Sequence, residues 1–174
     1  MTMPGGGNTS RTFLLQSPED VNPNLQYLLP HEVTSIQSEL DSIDNELRRL
    51  GELKNEAMHQ SSETWHDNAL ADAIRHDARL KLHRRSLLES MLREGVRLGY
   101  PPPDTTFVTI GSRVTVKMGQ ETFGIDIVGL QPVDITENES GIEVCSYKAP
   151  LAQPLIGAVV GKKSSLIYMG VNYK

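Results

Sequence analysis

LPHEVTSIQSELDSIDNELRRLGELKNEA, residues 29–57, places apolar side chains at Leu29, Val33, Ile36, Leu40, Ile43, Leu47, Leu50 and Ala57. The steps alternate between four and three, with Lys54 the interruption, which is the seam of a coiled coil. Pro30 suits a first helical turn, where its missing N–H costs nothing, and Glu32 suits the positive end of the helix dipole. Neither Pro nor Gly intervenes before Gly51, whose cost of roughly 1 kcal/mol relative to Ala a packed seam absorbs. A helix with such a seam needs a second helix to cover it.

The second helix is expected from about Trp65 to Arg97, with apolar positions at Leu70, Ile74, Ala78, Leu88 and Leu92. Asp77, Lys81, Arg84 and Arg85 break its heptad, so this arm depends on packing antiparallel to the first. At ~1.5 Å per residue, arms of about thirty residues span ~45 Å. Between them lies AMHQSSETWHDNALAD, residues 57–72, with three carboxylates, two histidines and a tryptophan and no Lys or Arg. The pattern describes a rod, residues 28–98, with an acidic tip near 61–68.

The chain changes character on either side of the rod. Residues 1–27 are rich in Gly, Pro, Asn and Ser, and the expectation is a loose tail. Gly99-Tyr100-Pro101-Pro102-Pro103 cannot continue a helix, so residues 99–104 are expected to form a linker. Beyond it the period becomes two, at Phe107–Ile110, Val114–Val116, Phe123–Val128 and Ile142–Tyr147, with turn residues between. Residues 105–174 are thus expected to form a small β-rich domain. Gly157 and Gly161 are spaced for turns between short strands. The fold class is α+β.

Totals narrow the function. With 17 basic against 22 acidic residues the net charge is −5, which argues against a duplex-DNA binder living on phosphate contacts and favours a protein partner. Cys145 is the single cysteine, so neither an internal disulfide nor a cysteine-based zinc site can form. The N-terminal stretch has no apolar run of signal-peptide length, and no segment approaches the ~18 apolar residues of a membrane helix. A soluble cytoplasmic protein is expected. No Gly-x-Ser-x-Gly, no Cys with a His partner in pattern and no glycine-rich phosphate loop is present, so the chain is not expected to be a self-contained enzyme.

The candidate chemistry sits at the tip, in Glu63, Asp67 and Asp72. Thr64-Trp65-His66-Asp67 also matches a capping box, in which Thr64 accepts from the backbone of the second helix and Asp67 reaches back. Both roles can coexist, because a capping carboxylate at an exposed tip keeps free oxygens. Two carboxylates suit Mg²⁺ held by one face with its waters in place, but a complete cage needs ligands from elsewhere. Trp65 either closes the tip against Met58 or projects into a partner. His59 and His66 could join the carboxylates as transition-metal ligands, although two histidines at this spacing across a turn are a weak signal, and His76 and His83 lie on a charged helix face. Lys81, Arg84 and Arg85 form a basic patch, read as a solvated face or a contact for an acidic partner.

Three stretches resemble the GreA/GreB family of bacterial transcript-cleavage and elongation factors. Leu29-Pro30-His31-Glu32-Val33 through Glu39-Leu40-Asp41-Ser42-Ile43 is similar to the family's opening helix. Asp67-Asn68-Ala69 is similar to the Glu-Asn-Ala that follows the family's tip. Ile110-Gly111-Ser112-x-Val114-x-Val116, Ile127-Val128-Gly129 and Ala149-Pro150-Leu151 through Ile156-Gly157, with Val160-Gly161, resemble its globular-domain signatures. The resemblance runs from about residue 28 to the end of the chain.

It implies an N-terminal antiparallel coiled-coil hairpin joined to an FKBP-like globular domain. It further implies binding to bacterial RNA polymerase through the globular domain, here with Pro150 and Leu151, and through the tip, with Trp65. The hairpin would enter the secondary channel and bring Glu63, Asp67 and Asn68 to the polymerase active site. Glu63 and Asp67 would then share a polymerase Mg²⁺, and the chain, a monomer with no cofactor of its own, would help the polymerase cut backtracked RNA.

The departures are specific. Aligning Asp67-Asn68-Ala69 puts Thr64 where the family has its first acid, leaves Glu63 one residue early, and shortens the second acid by a methylene. The family's aromatic after the tip is replaced by Leu70-Ala71-Asp72. The chain stops at Tyr173-Lys174, where the family usually continues, and a shortened last strand is expected. A paralogue that occupies the channel without stimulating cleavage is therefore the rival within the family. Outside it stand an FKBP-like peptide-binding or prolyl isomerase module, and a coiled-coil adaptor whose seam pairs between chains.

Overall fold

The computed structural model describes residues 12–60, 69–130, 142–159, 161, 166–168 and 171–173. Two long helices, α1 (Pro30–Gln60) and α2 (Ala69–Glu94), are flanked in sequence by short strands β1 (Tyr27–Leu28) and β2 (Val96–Arg97), and are followed by β3 (Arg113–Met118), β4 (Glu121–Val128), β5 (Glu143–Ser146), β6 (Leu166–Tyr168) and β7 (Val171–Tyr173). The class is α+β, as the change of period at the proline run requires. The chain divides into two compact units: residues 33–94, which are helical, and residues 1–32 with 95–174, which hold the strands.

In the helical unit Ile36 and Ile43 of α1 and Ala71, Ile74 and Leu88 of α2 are buried. Ile36 and Ile43 are seven residues apart, on the seam the periodicity predicts. Leu70, expected on the second seam, is instead 61% exposed.

In the strand unit β4 is the centre of a three-stranded sheet, antiparallel to β3 and parallel to β5. Gly119, at φ 65°, turns the chain between β3 and β4. Alternation along β4 sends Ile125 and Ile127 into the core, where they meet Tyr27, Leu29, Leu98, Ile110, Tyr147 and Ala152. The stretch 107–110 is not a sheet strand. Val108 instead exchanges backbone hydrogen bonds with the 157–158 turn, donating to Ala158 O at 2.8 Å and accepting from Gly157 N at 2.8 Å.

The expected tail and linker differ from the observed chain path. Residues 12–28 belong to the strand unit: β1 pairs in parallel with β2, and Phe13 bridges to Leu98. Tyr27 is 2% exposed, packs edge-to-face on Tyr147 at 5.4 Å, and accepts from Asn22 N at its hydroxyl. The Tyr147 hydroxyl donates to Leu25 O, and its desolvation pushes its pKa up to about 12. Gly99 N donates to Phe13 O at 2.8 Å, so the proline run starts from a pinned position. Composition misjudged this segment because its order comes from backbone pairing with residues some seventy positions later in the chain, as in Tyr27 with Val96.

Glu32 closes the strand unit. Its side chain is 7% exposed and accepts from Leu29 N at 2.6 Å, half of a capping box for α1. The other oxygen accepts from Leu130 N at 2.6 Å, just past β4. Gly129 has no room for a side chain, since a Cβ there would fall 2.2 Å from Tyr27 O and 2.9 Å from the Glu32 carboxylate.

Replacing Glu32 with Gln keeps the shape but turns a donor toward one of these amides, and should cost about 2–3 kcal/mol in urea unfolding. Burial raises the Glu32 pKa above the ordinary 4.5, against the pull of the Leu29 and Leu130 amides. The folded unit therefore holds this proton more tightly than the unfolded chain does. The corresponding stability is complete below about pH 4.5 and is lost as pH rises through the raised value. The wild-type advantage over Glu32→Gln should shrink across that window, and a pH-independent difference would contradict the assignment.

Candidate functional site

The residues that break the α2 heptad are the ones that hold the arms together. Arg84 donates from Nε and Nη2 to the two carboxylate oxygens of Glu39 on α1, at 2.7 and 3.0 Å, a bidentate geometry. Arg85 reaches Asp44 at 2.8 Å and Glu89 at 2.9 Å. Lys81 pairs with Glu46 and lies 3.9 Å from Asp77. Each of these bases has its pKa raised, first by the hydrogen bond to its cross-arm acid. As the partner number falls on α1 from Glu46 to Glu39, the base number rises on α2 from Lys81 to Arg84, as antiparallel arms demand. The basic patch is thus neither a free solvated face nor an open contact for an acidic partner.

The sequence-predicted tip residues Glu63, Trp65, Asp67 and Asn68, with Thr64 and His66, lie outside the described residues. What the structure describes is their support: α1 runs to Gln60 and α2 resumes at Ala69. At ~1.5 Å per residue, the 31 residues of α1 measure roughly 46 Å. Asp72 lies in the first turn of α2 and holds Arg75 at 2.6 Å. Among the described residues no group of three His, Cys, Asp or Glu side chains could hold a metal ion.

Pro150 and Leu151 lie apart from the tip in sequence, in the strand unit, on a tightly wound turn. Ala152 N and Gln153 N both donate to Ala149 O, at 3.0 and 3.1 Å, and Gly157 ends the turn at φ 80°. Pro150 is exposed, whereas Leu151 packs on the core beside the fully buried Ala152. Of the two, Pro150 is the exposed one.

A feature the sequence reading missed is a groove of about 610 Å³ in the same unit, between Leu29, His31 and Tyr100 on one side and Ser112, Arg113 and Asp126 on the other. Its rim is set by two polar pairs. The His31 Nδ1 and Tyr100 hydroxyl are 2.7 Å apart with stacked rings, and Arg113 donates to both Asp126 oxygens at 2.6 and 2.7 Å. The second pair was available in principle, because the turn at Gly119 puts Arg113 directly opposite Asp126. The first joins residues 69 positions apart and has no local signal.

No protein-family model matches the chain, and no curated protein matches it. Among solved structures it is similar to the GreA factor homolog 1 (Gfh1) of Thermus thermophilus, at 17% identity and a TM-score of 0.39, over 86% of this chain and 94% of that one. It is also similar to Gfh1 of Thermus aquaticus, at 20% identity and a TM-score of 0.39, over 86% and 93%.

The cross-arm pairs are partly exposed, with Arg84 and Glu39 side chains at 36% and 41%. A double-mutant cycle of Arg84→Met and Glu39→Gln should return a coupling of about 0.5–1 kcal/mol, the range for solvated pairs of good geometry. Raising salt should reduce it, and zero coupling at low salt would mean the arms do not need this pair.

Proposed function

We propose that this protein is a transcription regulator of the Gre type, which binds bacterial RNA polymerase and lays its helical hairpin in the secondary channel. The observation that carries the reading is the internal pairing of the hairpin by Lys81, Arg84 and Arg85 with Glu46, Glu39 and Asp44. A hairpin whose arms are aligned by ion pairs within its own chain is a rod to be inserted, not a handle awaiting a second copy. That favours the channel factor over the coiled-coil adaptor. The acidic, base-free tip and the three resembling stretches point the same way, and a rod of roughly 46 Å gives it reach.

The resembling stretches are themselves informative, because most of them meet in one place. Glu32 of the first accepts from the amide following Ile127-Val128-Gly129, and Gly111 N donates to Ile127 O at 2.7 Å. They support the family reading through architecture. The chemistry rests on the tip, where Thr64 occupies the first acid's place. Channel occupancy that regulates elongation is therefore the action proposed, with polymerase contact through Pro150 and Trp65, and with Leu151 anchoring the turn that presents Pro150.

Stimulated cleavage is the second reading, and Glu63 and Asp67 favour it. Together they would offer carboxylate oxygens to a Mg²⁺ ion of the polymerase, with Asn68 beside them, and the polymerase would perform the hydrolysis. The protein would act in trans rather than as an enzyme.

A backtracked elongation complex in Mg²⁺ distinguishes these outcomes. The expected result is binding with altered nucleotide addition and no shortened RNA. Shortening that falls at least about tenfold, roughly 1.4 kcal/mol of barrier, in Glu63→Ala or Asp67→Ala would instead establish cleavage. Absence of polymerase binding would overturn the proposal.

A further inference from the structure

We propose that the groove between the two arms beside Gly51 is a docking site for an acidic amphipathic segment of a partner protein. The inference goes beyond the polymerase reading and does not rest on it. The floor is aliphatic, formed by Leu47 and Leu50 of α1 and Ile74, Ala78 and Leu82 of α2. Its volume of about 290 Å³ is roughly twice the ~150 Å³ that accommodates a benzene-sized group. Gly51 lies on the lining, and a Cβ there would meet nothing within 4 Å, so a larger side chain can be placed at this position without a clash. Leu82 lines the floor yet remains 53% exposed, so its apolar surface is open to an added side chain.

Charge selects the occupant. The remaining lining residues are Lys54, Arg75 and Arg79, and no carboxylate lines the groove. Arg75 is held by Asp72, but no ion pair joins Lys54 or Arg79 to another described residue. The contrast is with the neighbouring level of the hairpin, where Lys81, Arg84 and Arg85 each face an acid of α1. A segment with leucine-like side chains at helical spacing and flanking carboxylates would fill the floor and pair with Lys54 and Arg79. A single nucleic acid strand meets the charge but not the floor, which has no aromatic ring for a base to stack on.

The test uses the full chain and fluorescence anisotropy with three labelled probes. These are an amphipathic peptide with leucines at i, i+3, i+4 and i+7 and glutamates elsewhere, the same peptide with lysines for glutamates, and oligouridylate RNA. The glutamate peptide should bind, and should weaken at least tenfold with Lys54→Glu plus Arg79→Glu and as salt is raised. Gly51→Leu, which fills the gap with a good helix former, should weaken it comparably while thermal unfolding by circular dichroism is unchanged or improved. Equal binding of the lysine peptide, preference for the RNA, absence of glutamate-peptide binding, or indifference to these substitutions would each overturn the proposal.

Discussion

The strand unit depends on one buried carboxylate. Glu32 sits in the first turn of α1, where the helix's own amides want an acceptor, and its two oxygens satisfy the amides of Leu29 and Leu130 from opposite directions. A carboxylate removed from water without such partners would be strongly destabilising. With them it fixes the entry of a helix against the exit of the central strand. The backbone of β1 completes the contact, because Tyr27 O occupies the space a side chain at Gly129 would need. Two segments distant in sequence, residues 27–32 and 129–130, therefore converge on a single acid, and Leu29, Ile127 and Val128 pack in one core beside it.

The helical unit solves a different problem. Its second arm carries too many charges to bury a full heptad, and it compensates by spending those charges on the first arm. The buried residues Ile36, Ile43, Ile74 and Leu88 provide the apolar contact, while the ion pairs set the alignment of the arms. Exposed pairs contribute little energy individually, but mismatched alignment would oppose like charges, so their value lies in register more than in strength. The level of Gly51 is rimmed by Lys54, Arg75 and Arg79, of which only Arg75 has an ion pair among the described residues.

Much of the resemblance to the Gre family traces to these structural demands. Gly111 adopts φ 91° and a Cβ there would crowd Pro101 and Leu29. Ser112 accepts from Thr109 N at its hydroxyl, and its carbonyl accepts from Ile127 N. Gly157 turns the chain at φ 80°. Residues of this kind report a backbone path. The tip residues, which would report chemistry, depart from the family's spacing by one position at Glu63, and that separates an inference about architecture from one about transcript cleavage.

The sequence by itself determined the local elements: the first arm from its alternating steps of four and three, the strands around Ile125 and Val114 from their period of two, and the break between them from three consecutive prolines. Those patterns are legible because helix and strand geometry repeat over a few residues, so neighbouring side chains reveal which face is buried. Tertiary structure alone decided that residues 12–28 form part of the strand unit, that Glu32 is a buried clamp rather than only a helix-dipole acid, and that Lys81, Arg84 and Arg85 face partners on the other arm. Each of these depends on which distant backbone amide or carboxylate the folded chain brings within hydrogen-bonding distance, and no short-range period encodes that choice.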